Sequence, residues 1–135
     1  MSSIETAIRK LLTDDSDVTD IVGARIYPVA APQGATVPFV VYEIESVAPV
    51  DSLGGHSGLS FASFSISMWS NSYATTNNLG TKIRAALLDF TGTSDTILVD
   101  WCKHNNSTDI DAWTADGAEF PLYGNEQTYR VAYQV

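Results

Sequence analysis

Two pairs of side chains have types and a spacing that could support catalysis. Glu43 and Glu45 lie two residues apart in an extended segment. Both would project from one strand face about 7 Å apart, which suits the carboxylate pair of an inverting glycosidase. Cys102 and His104 have the same spacing, but a nucleophilic Cys–His pair needs direct contact and a third, orienting group. Nothing else in the chain indicates a sugar site, so we expect a solvated strand face and a core cysteine. No catalytic residue is predicted.

Metal and cofactor sites are not predicted either. The acidic residues between 109 and 119 resemble a calcium loop only in part, because Trp113 and Phe120 occupy positions that an EF-hand reserves for ligands. One cysteine and two histidines are too few for a zinc site. The glycine-rich segment 54–58 lacks the Lys-Ser/Thr that follows a phosphate-binding loop. We therefore expect no metal and no cofactor.

Composition indicates a globular protein with one domain covering residues 1–135. Hydrophobic residues make up 44% of the chain and charged residues 17%. A chain of this length can bury roughly two-thirds of its unfolded surface, which is enough for a real core.

The charge balance excludes several classes of partner. Sixteen acidic and seven basic residues give a net charge of −9, and the basic residues are scattered. Tight binding to nucleic acid or to an anionic membrane requires clustered Lys and Arg, so neither is expected. The single cysteine excludes an internal disulfide. The first residues show no signal-peptide pattern and no segment is long enough to span a bilayer, so we expect folding in a cytoplasm.

The first half of the chain predicts two helical segments followed by strands. Residues 3–12 carry an apolar stripe at helical spacing, and Asp17 is predicted to cap a short helical segment that ends at Gly23. A short extended segment, Arg25–Tyr27, precedes a proline-rich loop. Phe39–Val47 then alternates as a strand, with Val40, Tyr42 and Ile44 facing one way.

The second half predicts a hairpin, a long helix and two more strands. Leu59–Trp69 alternates, so it is expected to pair with the first strand across a flexible loop at 48–58. One of residues 70–72 caps a helix from about Tyr73 to Phe90. A third strand follows, with Ile97, Val99 and Trp101 on one face. Residues 105–118 are polar and turn-like, and Thr128–Val135 forms the last strand.

This order predicts an α+β fold: a mostly antiparallel sheet of four to five strands with two main helices packed on one face. The other face would carry Glu43, Glu45 and a row of serines, and would be open to water without a partner.

The order of several segments resembles that of a known protein family. The segments are Asp17-Val18, Ile21–Pro28, Ala31–Gly34, Pro38–Tyr42, Phe64–Ser70, Ile83–Leu88 and Tyr129–Tyr133. In this order they are similar to the tail completion proteins, or tail terminators, of long-tailed, siphovirus-type bacteriophages. The resemblance covers most of the chain and is weakest at 48–58 and 103–124. Its motifs are structural, so it implies a fold and an assembly rather than a catalytic site.

The resemblance implies a structural virion protein and no enzyme. Family members form a ring, commonly a hexamer, that caps the finished tail tube, stops its polymerisation and offers a surface to the head's connector or stopper protein. DNA passes through the hole without specific binding. The implied location is the head–tail junction of the virion, after assembly in the host cytoplasm.

The acidic composition suits such a conduit, because negative charge repels DNA phosphates. We expect some of six carboxylates to lie at an interface or to line the hole: Glu43, Glu45, Asp51, Asp109, Asp111 and Asp116. The alternative is that they only keep the surface soluble. Residues 29–37 and 48–58 are expected to be mobile in the free subunit and ordered on assembly.

Other functions remain open at the level of sequence. The chain could be another neck or tail ring protein, such as a head-completion protein or a tail tube subunit. A small ligand-binding α+β domain is a further alternative, which a small oligomer with a pocket would indicate.

Overall fold

The computed structural model describes residues 4–32, 34–52, 55–88, 90–94, 96–113 and 122–134, without the side chains of 50–57 and 111–113. The elements in chain order are α1 (Ile4–Thr13), α2 (Ser16–Val22), β1 (Ile26–Pro28), β2 (Phe39–Ser52), β3 (Gly55–Ser70), α3 (Tyr73–Leu87), β4 (Gly92–Ser94), β5 (Ile97–Trp113) and β6 (Leu122–Gln134).

The strands form one sheet in the order β1-β2-β3-β6-β5-β4. The short strand β1 runs parallel to β2, and the other neighbouring strands are antiparallel. The predicted α+β class and the mostly antiparallel sheet are confirmed. The predicted count is wrong in detail, because the described residues form six strands and three helices. The strand that was not predicted is β4, which is three residues long and too short for a clear alternation. The equally short β1 lies on the extended segment predicted at Arg25–Tyr27.

The two N-terminal helices follow the predicted pattern with one change of cap. In α1 the apolar stripe is buried at Ile4, Ala7, Ile8 and Leu12. The cap of α2 is Asp15, whose carboxylate accepts hydrogen bonds from the backbone of Asp17 and Val18, so the prediction of Asp17 was two residues late. Gly23 ends α2 with φ 60°, which a glycine adopts without strain.

Helix α3 and the central strands form the core. Ser72 caps α3, and Leu79, Ile83 and Leu87 are fully buried on its inner face. They belong to one apolar cluster with Phe64 and Ile66 of β3. Of the three β2 side chains predicted to face one way, Val40 and Tyr42 are buried in this cluster and Ile44 is partly buried against it.

Two segments predicted as loops are strands. β2 and β3 remain paired as far as Ser52 and Gly55, so most of the predicted loop at 48–58 is a projecting hairpin. Likewise β5 continues to Trp113, which pairs with Leu122. The predicted turn at 105–118 is therefore largely strand, up to residue 113. These parts of the strands were not predicted because their residues are mostly polar. They are strands through backbone pairing rather than through an apolar face.

Bulges in β2 and β5 change which side chains face the core. A shift in register between Val99 and Trp101 puts Cys102 in the core and moves Trp101 to the other face, which reverses the predicted alternation there. A second shift between Ile44 and Ser46 leaves Glu45 without a partner on β3. Glu43 and Glu45 are therefore not the regular same-face pair that the sequence predicts.

Candidate interaction surfaces

The sheet has one face packed against helices and one that no helix covers among the described residues. We call the second the open face. Its pattern follows from the register: Val41, Glu43 and Ser65 are neighbours across β2 and β3, and Ser67 lies opposite Glu126 of β6. The serines between larger neighbours are half-buried or buried, whereas both glutamates are exposed. The open face is thus a polar surface with apolar edges, on which Glu43 and the row of serines lie as predicted.

A groove of about 330 Å³ crosses one end of the open face. The segment 29–31 forms one side, Phe39 and Trp69 supply aromatic walls, and Glu43 and Glu126 supply the charge. Neither carboxylate has a hydrogen bond or ion pair with another described residue. At the rim, Val29 is 65% exposed and has φ 66°, a conformation that costs a β-branched residue free energy. An exposed apolar side chain beside two unpaired carboxylates makes this end of the open face a candidate contact surface.

The opposite side of the open face carries positive charge. Lys103 of β5 lies directly across from Arg130 of β6, which is an unfavourable arrangement of like charges. Arg130 is held over the ring of Phe61, 4.8 Å from its centroid. Phe61 in turn packs against Trp101 with centroids 5.8 Å apart. The open face is therefore polarised, with acidic and basic ends.

The structure does not gather the six predicted carboxylates into one cluster. Glu43 lies on the open face of β2, and Glu45 is exposed at the bulge. Asp109 is on β5, which is separated from β2 by β3 and β6. The backbones of Asp51 and Asp111 lie in β2 and β5, but their side chains are outside the described residues, as is all of Asp116.

Sequence reasoning missed Glu126 as a member of this surface. The last strand was predicted to begin at Thr128, whereas β6 begins at Leu122. The buried positions Asn125, Gln127 and Tyr129 alternate with the exposed Glu126 and the half-buried Thr128. Asn125 and Gln127 are polar, so they gave no strand signal.

Asp109 connects three elements. Its carboxylate accepts hydrogen bonds of 2.8 Å from the Tyr73 hydroxyl and from Nδ2 of Asn125. These bonds, first that from Asn125 and then that from Tyr73, hold the pKa of Asp109 below its ordinary value. The carboxylate thus joins the start of α3 to the far end of the β5–β6 hairpin, and its role here is structural.

A buried polar contact fixes the middle of α3 on the sheet. Gln127 Nε2 donates to the Gly80 carbonyl at 2.9 Å, and the Tyr129 hydroxyl donates to Gln127 Oε1. A Cβ on residue 80 would meet Gln127 Nε2 at 3.1 Å, so the glycine permits this close approach. Burial raises the pKa of Tyr129 well above its ordinary value, which keeps the phenol protonated as a donor.

Cys102 and His104, whose side chains could support catalysis, contribute to packing instead. Cys102 is buried in the core, as predicted, and the ring of His104 packs on Tyr129 with centroids 5.2 Å apart. Within the described residues, no three His, Cys, Asp or Glu side chains come together to hold a metal. No helix in this part of the chain is long and apolar enough to cross a membrane.

The Arg-Ile-Tyr-Pro and Pro-Phe-Val-Val-Tyr segments, which the sequence analysis singled out, pair with each other as strands β1 and β2. Ile26, Tyr27 and Pro28 lie beside Val40, Val41 and Tyr42. Arg25 Nε donates to the Pro38 carbonyl at 2.8 Å, which closes the intervening loop at its base. The two segments therefore form one parallel strand pair.

Comparison with known families decides the identification. The family model described as "Tail completion protein gp17" matches residues 6–119. The chain belongs to this family. It is accordingly a structural protein of a bacteriophage tail and is located in the virion.

Solved structures show the same fold. A chain of the structure described as "Virion of native gene transfer agent (GTA) particle" superposes with a TM-score of 0.75 at 18% identity, over 98% of this chain and 96% of that one. A second solved structure, whose description names no function, gives a TM-score of 0.55 at 11% identity, over 95% and 92%. No curated protein matches the chain.

Proposed function

We propose that residues 1–135 act as a single domain that assembles into a ring, with six copies, at the end of the finished tail tube. The ring terminates tube polymerisation and joins the tail to the head. The observation that carries this proposal is membership of the tail completion family over residues 6–119. The form of the molecule supports it, because acidic and basic side chains on different parts of the surface suit repeated head-to-tail contacts between copies.

The partners follow from this position. One side of the ring contacts the tail tube protein and the other contacts the head's connector or stopper protein. The paired ends of β2 with β3 and of β5 with β6 offer backbone for such contacts. Assembly takes place in the host cytoplasm, and the chain has no enzymatic role.

DNA passes through the hole without specific binding. We propose that some of Glu43, Glu45, Asp51, Asp109, Asp111 and Asp116 line the hole or its rim, where negative charge keeps phosphates from adhering. Glu45 is the best placed of the described side chains for a lining role, since it is exposed and the bulge frees it from the sheet ladder. Asp109 fits that role least, because its oxygens are already hydrogen-bonded.

Arrest of tube growth tests the function directly. Purified chain is added to polymerising tail tube protein, and tube lengths are measured by electron microscopy. A terminator stops growth and leaves one ring at one end. Incorporation along the tube would indicate a tube subunit, and no effect on tubes together with binding to the connector would indicate a head-completion protein.

Charge reversal tests the lining. Glu45→Lys and Asp51→Lys are introduced singly and together, and tail assembly and DNA delivery are measured separately. Delivery should fall while assembly persists. Asp20→Lys is the matched control for each single variant, because Asp20 is exposed on α2 and this substitution changes the net charge by the same amount as either single change. Normal delivery by the double variant would mean that these carboxylates serve only solubility.

A further inference from the structure

The acidic groove on the open face has the chemistry of a receptor for a basic side chain. Glu43 and Glu126 are exposed, unpaired among the described residues, and flanked by Phe39 and Trp69. An arginine side chain combines a charged end with an apolar stem, so it can meet a carboxylate and an aromatic wall together. The exposed Val29 at the rim would lose apolar surface to the same partner.

The chain carries a matching ridge on its other side. Arg84 lies in the last turn of α3, and Leu88 is the residue that caps the helix, with its backbone N–H donating to the Arg84 carbonyl. The Leu88 side chain is 40% exposed. The Arg84 side chain is exposed and makes no hydrogen bond or ion pair with another described residue. A cation beside an exposed leucine complements two carboxylates beside an exposed valine in both charge and apolarity.

The positions of groove and ridge determine the symmetry of such a contact. The groove is on the open face and α3 is on the helix-covered face, so one copy cannot present the same patch to another. The contact is therefore heterologous, and heterologous contacts that close give rings rather than twofold dimers.

We propose that the groove formed by Val29, Phe39, Glu43, Trp69 and Glu126 receives the Arg84–Leu88 ridge of the next copy. The inference rests on the proposed ring and names the surface that holds it together. It assigns Glu43 to the contact between copies, and leaves Glu45 and Asp51 for the channel.

Charge-swap variants test this contact, with the mass of the assembly measured by light scattering over a range of concentrations. Arg84→Glu and Glu126→Lys should each raise the subunit dissociation constant by about tenfold or more, because each leaves like charges facing one another. The combined variant should return to within about threefold of the wild type, since the pair is restored in reverse. Arg9→Glu is the matched control, an equal change on an exposed arginine of α1, and should leave the mass unchanged.

The outcomes separate this contact from the ring itself. A wild-type chain that remains a single subunit at every concentration would contradict the ring, and the contact with it. A ring that persists in Arg84→Glu and Glu126→Lys would overturn the contact alone, as would a combined variant that fails to recover. Amide exchange of the wild type gives a measurement without variants: the backbone of 29–31 should be protected in the ring, and equal exchange in ring and subunit would overturn the contact.

Discussion

At the scale of single residues, Asp109 links the start of α3 to the end of the β5–β6 hairpin. Its lowered pKa means that the stability it contributes is complete above its ordinary pKa of 3.8 and is lost as the pH falls through the lower folded value. The pair of hydrogen bonds, rather than burial, produces this dependence, because the carboxylate is exposed.

Removal of either hydrogen bond should raise the pKa of Asp109 toward 3.8. We expect a larger rise in Asn125→Ala than in Tyr73→Phe, because the bond from Asn125 is the larger cause. Titration of the carboxyl carbon by NMR measures both. Asp20, on α2 and remote from these side chains, serves as the internal control, and an unchanged pKa of Asp109 in both variants would contradict the assignment.

Gly124 is required by the ring of Trp69, its cross-strand neighbour. A Cβ at residue 124 would approach three atoms of the indole at 2.6–2.9 Å. Gly124→Ala should therefore lower the free energy of unfolding by about 1–3 kcal/mol, since the ring must leave its position. Chemical denaturation measures the loss, and the same change in a Trp69→Ala background should cost much less. Equal losses of stability in both backgrounds would show that contact with the Trp69 ring is not the reason for the cost of Gly124→Ala.

At the scale of elements, α3 is held on the sheet by a stripe of fully buried side chains. Ile83 lies in the middle of this stripe with no exposed surface. Ile83→Ala should lower the free energy of unfolding by about 2–5 kcal/mol, through lost burial and the remaining cavity. Asn78→Ala on the exposed side of the helix is the control and should change it by no more than about 0.7 kcal/mol. A loss below about 1 kcal/mol for Ile83→Ala would be inconsistent with this packing.

The segment 29–37 and the hairpin at 48–58 are the elements expected to respond to assembly. Both are rich in Gly and Pro and poor in apolar anchors, so we predict rapid amide exchange in the free subunit and slower exchange in the ring. Strand pairing to Ser52 and Gly55 lowers the expected exchange of the second segment. Among the described residues, however, β6 pairs with β3 only from Leu59 onward, so the backbone of 55–58 pairs with β2 alone. Equal protection in both states would argue against a role in assembly.

The elements also show what the sequence could and could not predict. Helices α1 and α3 and the start of β2 were predictable, because their apolar residues repeat at the period of the structure. The parts of β2 and β3 nearest residues 52 and 55, and the parts of β5 and β6 nearest residues 113 and 122, were not predictable. Polar residues are common there, and only backbone pairing between distant parts of the chain makes them strands. The bulges at Glu45 and Asp100 could not be predicted from the sequence either. The polarised open face depends on those registers, so its acidic groove could not be derived from spacing alone.

At the scale of the whole molecule, acidic and basic side chains lie on different parts of the surface. The net charge is −9, but the charge is not spread evenly over the surface. The open face has an acidic groove at one end and Lys103 with Arg130 at the other. Polarised subunits steer one another into head-to-tail contact more readily than uniformly charged ones. Ring formation should therefore weaken as ionic strength rises, because salt screens exposed charges.

Electron cryo-microscopy of tails from particles that encode this chain tests the central claim most directly. The account predicts one ring of six copies at the head-proximal end of the tube, with the fold described above fitting each copy and an open channel on the axis. Copies of the chain repeated along the tube would contradict the account, and so would a tail end without it.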